Sequence, residues 1–434
     1  MKLRYLSAAL VLCLCRSVFA WGTLEPKPDD PFFSKFQPAA APKAHGLMLH
    51  KGDSLAICGD SITEQRLYCR YMETYLTVVD PELGVTVRQF GWSGEQAPGF
   101  LARMTNDVLR FKPNVATTCY GMNDHHYRPY DPSIGAAYQS NMTAIVDSFK
   151  AAGTRVVIGA PGCMGLKPSP WNWVKGTPED RNLNLCELRN IDVKLAKEEH
   201  TRFADVFWTM YKAEFAALQK WGPDYMLAGK DDVHPGKSGH LVMAYAFLKA
   251  LGLPGDVGTI TVNLKGNKAS ASKGHTILSC ENGTVKIESS RYPFCAGGPV
   301  DSDNSIRSGM ALVPFNKDLN RFMLVVRHGS ADNYKVTWGE ASHDYTSKEL
   351  KKGVNLADDF PVNPFSAAFA RVDEAVAKKQ AFETKQIKEM FHGAAGKADM
   401  EKAAAESEQE RASLMAQISS AFVPVEHTLT ITPE

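Results

Sequence analysis

Four short polar clusters in this sequence contain the residue types that nucleophilic hydrolysis requires. In the first, Gly59–Thr63, Ser61 follows an apolar, strand-like run and precedes a helical segment. A serine is a weak nucleophile unless a base removes its proton, and neutral imidazole suits that step near neutral pH. The second and third clusters are Gly91–Glu95 and Gly121–Asp124. The fourth cluster, Asp231–Pro235, supplies such an imidazole in His234.

Each cluster, taken alone, also has an ordinary structural explanation. A Gly-Asp-Ser sequence after a strand is consistent with a turn and a helix N-cap, and Asn123 is consistent with a turn or a cap. Asp231 and Asp232 would suit a solvated loop or a cation site, and His234 before Pro235 would suit a loop. The four clusters in this order favour an active site over four separate coincidences.

The segments that would position these clusters alternate between strand-like and helical patterns. Such alternation predicts a parallel sheet with helices on both faces, and each of the first three clusters follows a strand at its carboxyl end. The predicted strands are Leu55–Cys58, Val85–Phe90, Val115–Tyr120, Arg155–Ala160 and Phe203–Val206. The predicted helices are Arg66–Val79, Phe100–Phe111, Ile134–Ala152, Asn190–His200 and Ser238–Leu251.

Residues 47 to 253 resemble the SGNH hydrolases, also called the GDSL esterase and lipase superfamily, through all four clusters in order. The resemblance implies a flavodoxin-like α/β fold, with Ser61 as the nucleophile, His234 as the general base and Asp231 as the residue that orients the imidazole. It also implies an oxyanion hole formed by the backbone amides of Ser61 and Gly94 and the side chain of Asn123.

Two neighbouring residues compete for these roles. Asp232 is closer in sequence to His234, but the Asp-x-x-His spacing of the family selects Asp231. Gly91 competes with Gly94 as an oxyanion donor, and the Ser-Gly-Glu alignment favours Gly94. A glycine at this position lets the backbone amide approach a substrate without an intervening Cβ.

The first twenty residues have the pattern of a secretory signal peptide: Lys2 and Arg4, an apolar run, and Val18-Phe19-Ala20 before the expected cleavage site. A buried N-terminal helix is the alternative. Export predicts a periplasmic or secreted location and an oxidising compartment. Seven cysteines then remain, so at least one is free, and Cys280 with Cys295 is a candidate disulfide.

The domain organisation follows from changes in residue pattern. Residues 1–20 form the signal peptide, and the Pro-rich residues 21–46 a linker or arm. Residues 47–254 form the hydrolase domain. Short β-type runs in residues 255–362 predict a small β-sandwich, which would serve as a scaffold or bind glycan. Residues 363–434 predict a Lys/Glu-rich helical hairpin, broken at Gly393–Lys397 and followed by a last strand.

Composition excludes several classes of function. The chain has 49 Lys plus Arg against 48 Asp plus Glu, so its net charge of +1 favours neither nucleic acid nor an anionic membrane surface. After the signal peptide, no apolar stretch approaches the roughly 18 to 20 residues of a transmembrane helix. Neither zinc-ligand spacing nor a Gly-rich phosphate loop occurs, so we expect no metal and no cofactor.

Aromatic residues near the clusters suggest a carbohydrate substrate. We expect His125 and Trp171 to contact substrate, although aromatic residues in such loops also cap cores. The sequence therefore predicts an exported serine esterase acting on an ester, most simply the acetyl group of a glycan. A lysophospholipase or thioesterase with the same site is the alternative enzyme, and a catalytically inactive glycan-binding surface protein is the alternative outside enzymes.

Overall fold

The computed structural model describes residues 21–168 and 171–434. The predicted signal peptide lies outside the described residues. Within the described part of the chain, no helix combines the length and apolar character needed to cross a bilayer.

A five-stranded parallel sheet forms the centre of the first domain. Its strands are β1 (Ser54–Gly59), β2 (Thr86–Gly91), β3 (Val115–Cys119), β4 (Arg155–Gly159) and β5 (Arg202–Ala204). They lie in the order β2-β1-β3-β4-β5, which is the flavodoxin-like order. The central strand β3 is buried along its whole length, as expected for a sheet covered on both faces. The predicted fold class is therefore confirmed.

Among the described residues, seven helices surround this sheet: α1 (Ser61–Glu64), α2 (Leu67–Val78), α3 (Ala97–Asp107), α4 (Pro132–Ala151), α5 (Pro178–Glu198), α6 (Val206–Trp221) and α7 (Lys237–Leu251). Helix α6 was not predicted from the sequence, and the helix predicted at Asn190–His200 begins earlier, at Pro178. Helix α5 begins earlier because Thr177 and Asp180 form a capping box around Pro178. Strand β5 ends before Asp205, whose side chain caps α6.

The Pro-rich residues 21–46 pack against α6. Phe33 and Phe36 are completely buried, and their rings contact Tyr211. The guanidinium of Arg189 donates to the carbonyl of Ala39 at 2.7 Å. These contacts make the segment an arm that contributes to the core of the domain.

Two further sheets follow. Their strands are β6 (Asp256–Asn263), β7 (Lys268–Ala271), β8 (His275–Glu281), β9 (Thr284–Ser289), β10 (Arg321–Arg327), β11 (Asn333–Trp338), β12 (Ala341–Thr346), β13 (Val354–Asn355) and β14 (Val425–Pro433). The four-stranded sheet has the order β13-β10-β6-β7, with β6 and β10 parallel. The antiparallel five-stranded sheet has the order β12-β11-β14-β9-β8. Phe322 of the first sheet packs on Trp338 of the second, with 5.6 Å between ring centres.

The helices of this half are α8 (Ile306–Leu312), α9 (Phe315–Leu319), α10 (Ser347–Lys352), α11 (Leu356–Asp359), α12 (Ser366–Lys385), α13 (Ala394–Ala398) and α14 (Met400–Ala421). A π-helical turn, Gln386–Phe391, continues α12 towards α13. We call residues 366–421 the C-terminal helical region. The terminal strand β14 then lies between β9 and β11, in the middle of the antiparallel sheet.

The C-terminal helical region covers the β2 edge of the parallel sheet. Lys379 and Arg411 both donate to the carbonyl of Val87 in the edge strand β2, and Glu383 accepts from the backbone N–H of Gln89 at 3.1 Å. The buried Lys379 and Arg411 also pair with Glu383, at 3.0 Å and 2.8 Å. Side chains thus satisfy backbone N–H and C=O groups of the edge strand β2, which would otherwise be open to pairing with another strand.

The seven cysteines of the described residues are all free. The proposed disulfide between Cys280 and Cys295 is therefore wrong for this structure. Cys295 is buried, and its thiol faces the carbonyl of Pro293 and the side chain of Asn363 instead. Two cysteines near each other in sequence cannot pair unless the fold brings their sulfur atoms together.

Candidate active site

Ser61 lies where the first strand of the sheet turns into a helix. β1 ends at Gly59, and Asp60 caps α1 by accepting a hydrogen bond from the backbone N–H of Ile62 at 2.9 Å. A Cβ on Gly59 would lie 2.1 Å from the Thr63 hydroxyl and 2.9 Å from the Cys119 carbonyl, so only glycine fits this turn. Burial raises the pKa of Asp60 to about 7. The tight turn presents the half-exposed Ser61 at the carboxyl edge of the sheet.

His234 connects Ser61 to Asp231. The Nε2 atom of His234 is 2.8 Å from the Ser61 hydroxyl, and its Nδ1 atom is 2.6 Å from Oδ2 of Asp231. The other carboxylate oxygen, Oδ1, accepts the backbone N–H groups of His234 and Val233 at 2.8 Å and 3.1 Å. Burial alone would raise the pKa of Asp231, but the hydrogen bonds from His234 lower it. A carboxylate held in this way keeps a proton on Nδ1 and leaves Nε2 free to accept one.

Asp232 is directed away from this line of hydrogen bonds. Its φ of +63° lies in the left-handed region, and its carbonyl accepts the backbone N–H of Gly165 at 2.9 Å. A Cβ on Gly165 would lie 2.0 Å from Oδ1 of Asp232, so the Asp232 carboxylate packs directly against this glycine. Of the two neighbouring acids, the structure brings Asp231 to His234.

The loop of residues 91–95, which begins at the last residue of β2, lies beside α1. The backbone N–H of Trp92 donates to the carbonyl of Gly59 at 3.0 Å, and that of Ser93 donates to Glu64 at 2.5 Å. A Cβ on Gly91 would lie 2.2 Å from the backbone nitrogen of Glu64, so Gly91 allows the loop to pack on α1. The exposed Gly94 has a φ of +74° and nothing within 4 Å of its Cβ position. Gly91 thus has a packing role, whereas Gly94 faces open space.

The side-chain amide of Asn123 is held at both ends. Its Nδ2 donates to the carbonyl of Glu95 at 3.0 Å, and its Oδ1 accepts the hydroxyl of Tyr127 at 3.0 Å. An amide nitrogen carries two hydrogens, so Nδ2 retains a second donor after this contact. The neighbouring Asp124 accepts the backbone N–H groups of Ala97 and Gly121, which fixes the loop against α3.

Of the two residues predicted to contact substrate, only Trp171 lies at the surface. His125 is completely buried, its Nδ1–H donates to the carbonyl of Met122, and burial lowers its pKa to about 3. It cannot touch a substrate, so that prediction is wrong. Sequence alone could not show that Tyr127 would cover the imidazole, with 4.6 Å between the ring centres.

Three aromatic side chains form a row that starts at Asn123. Tyr127, whose hydroxyl binds Asn123, meets the ring of Trp173 edge to face at 5.0 Å. Trp173 in turn stacks on Trp171, with ring centres 5.6 Å apart and planes inclined by 12°. Trp173 is 56% exposed and Trp171 40% exposed. We call Tyr127, Trp173 and Trp171 the aromatic row.

Two contacts of the 91–95 loop were not expected from sequence. Glu64 accepts the Ser93 amide and also binds Lys388, which lies in the C-terminal helical region. Arg103 of α3 makes a paired hydrogen bond to Glu95 at 2.6 Å and 2.7 Å. No short motif signals Lys388, because its partner precedes it by more than three hundred residues.

Among residues 21–168 and 171–434, no group of three or more His, Cys, Asp or Glu side chains is placed to hold a metal ion. The arrangement of Ser61, His234 and Asn123 is suited to activation of a serine hydroxyl by an imidazole, with amide donors nearby.

Residues 52–242 match the family model of the GDSL-like lipases/acylhydrolases. An acetylxylan esterase of Geobacillus stearothermophilus is 26% identical over 218 residues, which cover 47% of this chain and 93% of that protein. The crystal structure of Axe2, an acetylxylan esterase from the same organism, is 25% identical, covers 48% of this chain and 97% of that chain, and has a TM-score of 0.40.

A second solved structure is similar over both halves of the chain. BT4096, a gut microbial diltiazem-metabolizing enzyme, is 21% identical, covers 90% of this chain and 100% of that chain, and has a TM-score of 0.72. This likeness shows that the two chains share a fold that extends beyond the parallel sheet.

Proposed function

Residues 52–242 form a domain of the GDSL-like lipase/acylhydrolase family, so the chain is a hydrolase of ester bonds, and we propose that it deacetylates a carbohydrate through Ser61, His234 and Asp231. The observation that carries the proposal is the line of hydrogen bonds from Asp231 through His234 to Ser61, at 2.6 Å and 2.8 Å. Both distances are within direct proton-transfer reach.

In the proposed first step, the Ser61 oxygen attacks the acetyl carbonyl while Nε2 of His234 takes the hydroxyl proton. Asp231 stabilises the imidazolium that forms, because its ionised Oδ2 atom accepts a hydrogen bond from Nδ1–H, which keeps its proton. The carbonyl oxygen becomes an oxyanion, for which the backbone amides of Ser61 and Gly94 and Nδ2 of Asn123 are the proposed donors. Each preorganised donor is worth about 3 kcal/mol in the transition state.

Collapse of this intermediate breaks the ester bond. His234 returns the proton from Nε2 to the departing sugar oxygen, which leaves as a hydroxyl group, and Ser61 remains acetylated. Water then attacks the acetyl-enzyme with the same base and the same oxyanion donors. Acetate leaves, and the Ser61 hydroxyl regains its proton.

Two observations support a carbohydrate substrate. The relative described above is an acetylxylan esterase. In addition, the aromatic row extends from Asn123 to two exposed tryptophans, and aromatic side chains with a few placed polar groups are typical of ligand-binding surfaces. The apolar faces of the Trp173 and Trp171 rings would pack against sugar rings while the acetyl group lies at Ser61.

Export is part of the proposal, because residues 1–20 have a positive start, an apolar run and a small-residue end. N-terminal sequencing of the protein recovered from its native host would test it. A mature chain that starts at Trp21 would agree, and a retained Met1 in a protein found inside the cell would contradict it.

The experiment that tests the activity is hydrolysis of 4-nitrophenyl acetate, butyrate and octanoate by the chain from Trp21, with Ser61→Ala and His234→Ala in parallel. Acetate release from acetylated xylo-oligosaccharides is then measured in the same three proteins. We expect preference for the acetyl esters and loss of turnover in both variants.

Other outcomes would favour the alternatives. Preference for octanoate would favour the lysophospholipase alternative. Glycan binding without any turnover that depends on Ser61 would favour an inactive binding protein.

A further inference from the structure

The π-helical turn of the C-terminal helical region reaches the loop that contains Gly94. Lys388 lies in this turn, and its ammonium group is 2.8 Å and 2.9 Å from the two carboxylate oxygens of Glu64. The same ammonium group lies 5.1 Å from the centre of the Trp92 ring. π-helical turns occur frequently at functional sites, and this one contacts Trp92, two residues before Gly94.

Glu64 joins three parts of the site. It lies in α1, three residues after Ser61. Its Oε2 atom accepts the backbone N–H of Ser93, the residue before Gly94, at 2.5 Å. Burial would raise the pKa of Glu64, but the hydrogen bonds from Lys388 and Ser93 lower it, so the carboxylate stays charged. A single carboxylate therefore ties the helix of the proposed nucleophile to the 91–95 loop.

Trp92 supplies a second attachment of the same loop. His392, directly after the π-helical turn, meets the Trp92 ring edge to face at 5.0 Å, and its Nε2 atom is 2.8 Å from Asp107. On α3, the guanidinium of Arg103 lies 5.2 Å from the Trp92 ring. The indole is thus enclosed by Lys388, His392 and Arg103.

We propose that Lys388 is a positioning residue, which acts through Glu64 to hold the 91–95 loop so that the Gly94 amide is directed at the oxyanion. The inference rests on the proposed function, because an oxyanion arises there only if Ser61 attacks an ester. A preorganised donor acts mainly on the transition state, so its displacement lowers kcat more than it changes KM. The π-helical turn would then hold the 91–95 loop in place, while α12 and α14 of the C-terminal helical region cover the edge of the sheet.

The test compares Lys388→Met, Lys388→Arg and the control Lys378→Met. Lys378 lies on α12 and forms an exposed ion pair with Glu374 at 3.7 Å, away from the loop. With 4-nitrophenyl acetate, we expect kcat of Lys388→Met to fall by about tenfold with KM within about twofold. Lys388→Arg should recover most of kcat because it keeps the charge, and Lys378→Met should match the parent protein.

Amide hydrogen exchange at Ser93 and Gly94 is the second readout, and it does not depend on turnover. We expect faster exchange in Lys388→Met and parental exchange in the other two variants. Parental kcat and parental exchange in Lys388→Met would overturn the inference. Equal loss of protection throughout the core would also overturn it, because it would indicate general destabilisation.

Failure of the proposed function gives a different result. If the parent protein shows no turnover that depends on Ser61, the catalytic proposal fails on that measurement alone. The exchange rates of Ser93 and Gly94 then still decide whether Lys388 orders the loop.

Discussion

Replacement of Asp231 by Asn tests the proposed base more sharply than removal of the side chain. Oδ1 of Asp231 accepts two backbone N–H groups, from Val233 and His234, while Oδ2 faces Nδ1 of the imidazole at 2.6 Å. In the variant, the amide oxygen must occupy the Oδ1 position, because an amide nitrogen there would set its own N–H groups against the backbone N–H groups of Val233 and His234. The new nitrogen therefore takes the place of Oδ2.

That exchange reverses the tautomer of the imidazole. An amide nitrogen donates a hydrogen bond, so Nδ1 of His234 must become an acceptor and the proton moves to Nε2. Nε2 lies 2.8 Å from the Ser61 hydroxyl and could no longer accept its proton. The corresponding substitution in a serine-protease triad lowers kcat by roughly 10⁴-fold, which is about 5 kcal/mol. We expect a loss of that order here.

Asp232→Asn is the matched control. Its carboxylate packs against Gly165 and not against His234, and Asn adopts a left-handed backbone conformation as readily as Asp does. We expect its kcat to stay within about threefold of the parent value, since no contact to the imidazole changes.

The assay is kcat and KM for 4-nitrophenyl acetate in the parent protein and both variants, with urea unfolding to confirm that each is folded. Retention of kcat within tenfold in Asp231→Asn would refute the reasoning. A loss in Asp232→Asn as large as that in Asp231→Asn would refute it as well, because the two acids would then be equivalent.

Three further substitutions test other parts of the structure. Trp173→Ala should raise KM for an acetylated oligosaccharide several-fold and leave KM for 4-nitrophenyl acetate unchanged, because only the larger substrate reaches the aromatic row; equal effects on both KM values would contradict this. Gly91→Ala should destabilise the fold by about 2 kcal/mol or more in urea unfolding, since its Cβ would lie 2.2 Å from Glu64 nitrogen; a neutral result would mean that the loop relaxes freely. His427 is buried with its pKa lowered to about 3, whereas an unfolded histidine titrates near 6.5. As the pH is lowered, the unfolded chain therefore binds this proton first, and the free energy of unfolding falls between about pH 6.5 and pH 3. His427→Gln should therefore remove about 2 kcal/mol of the destabilisation between pH 7 and pH 5, measured as the difference in unfolding free energy from the parent; an unchanged pH dependence would contradict the burial argument.

The parallel sheet could be predicted from sequence because its signal is local. Each strand is a short apolar run, and each long amphipathic helix repeats its apolar residues at helical spacing. Helix α6 was missed because it starts directly after a three-residue strand, so Phe203–Val206 resembled one continuous strand. The start of α5 was also missed, although Thr177 and Asp180 show a capping box in the sequence.

The contacts of the candidate site also divide into local ones, which the sequence indicates, and long-range ones, which it does not. The Asp-x-x-His contact is local, because the Asp231 carboxylate reaches both the backbone and the imidazole of a residue three positions later. The turn at Gly59 is local as well. The burial of His125, by contrast, involves a distant element, because Asn184 of α5 donates to the His125 carbonyl at 3.0 Å across 59 positions.

Short segments of the sequence therefore determined which residues stand at the strand ends, in what order and in what turn geometry. In such segments, backbone hydrogen bonds and apolar periodicity act over only a few residues. Tertiary packing decided the rest. It brought His234 to Ser61 across 173 positions, and Lys388 to Glu64 across 324. It also placed β14 in the centre of a sheet and left Cys280 and Cys295 apart. Such contacts form only after the intervening chain has closed and the apolar faces have packed, so the residues near each partner in sequence carry little information about them.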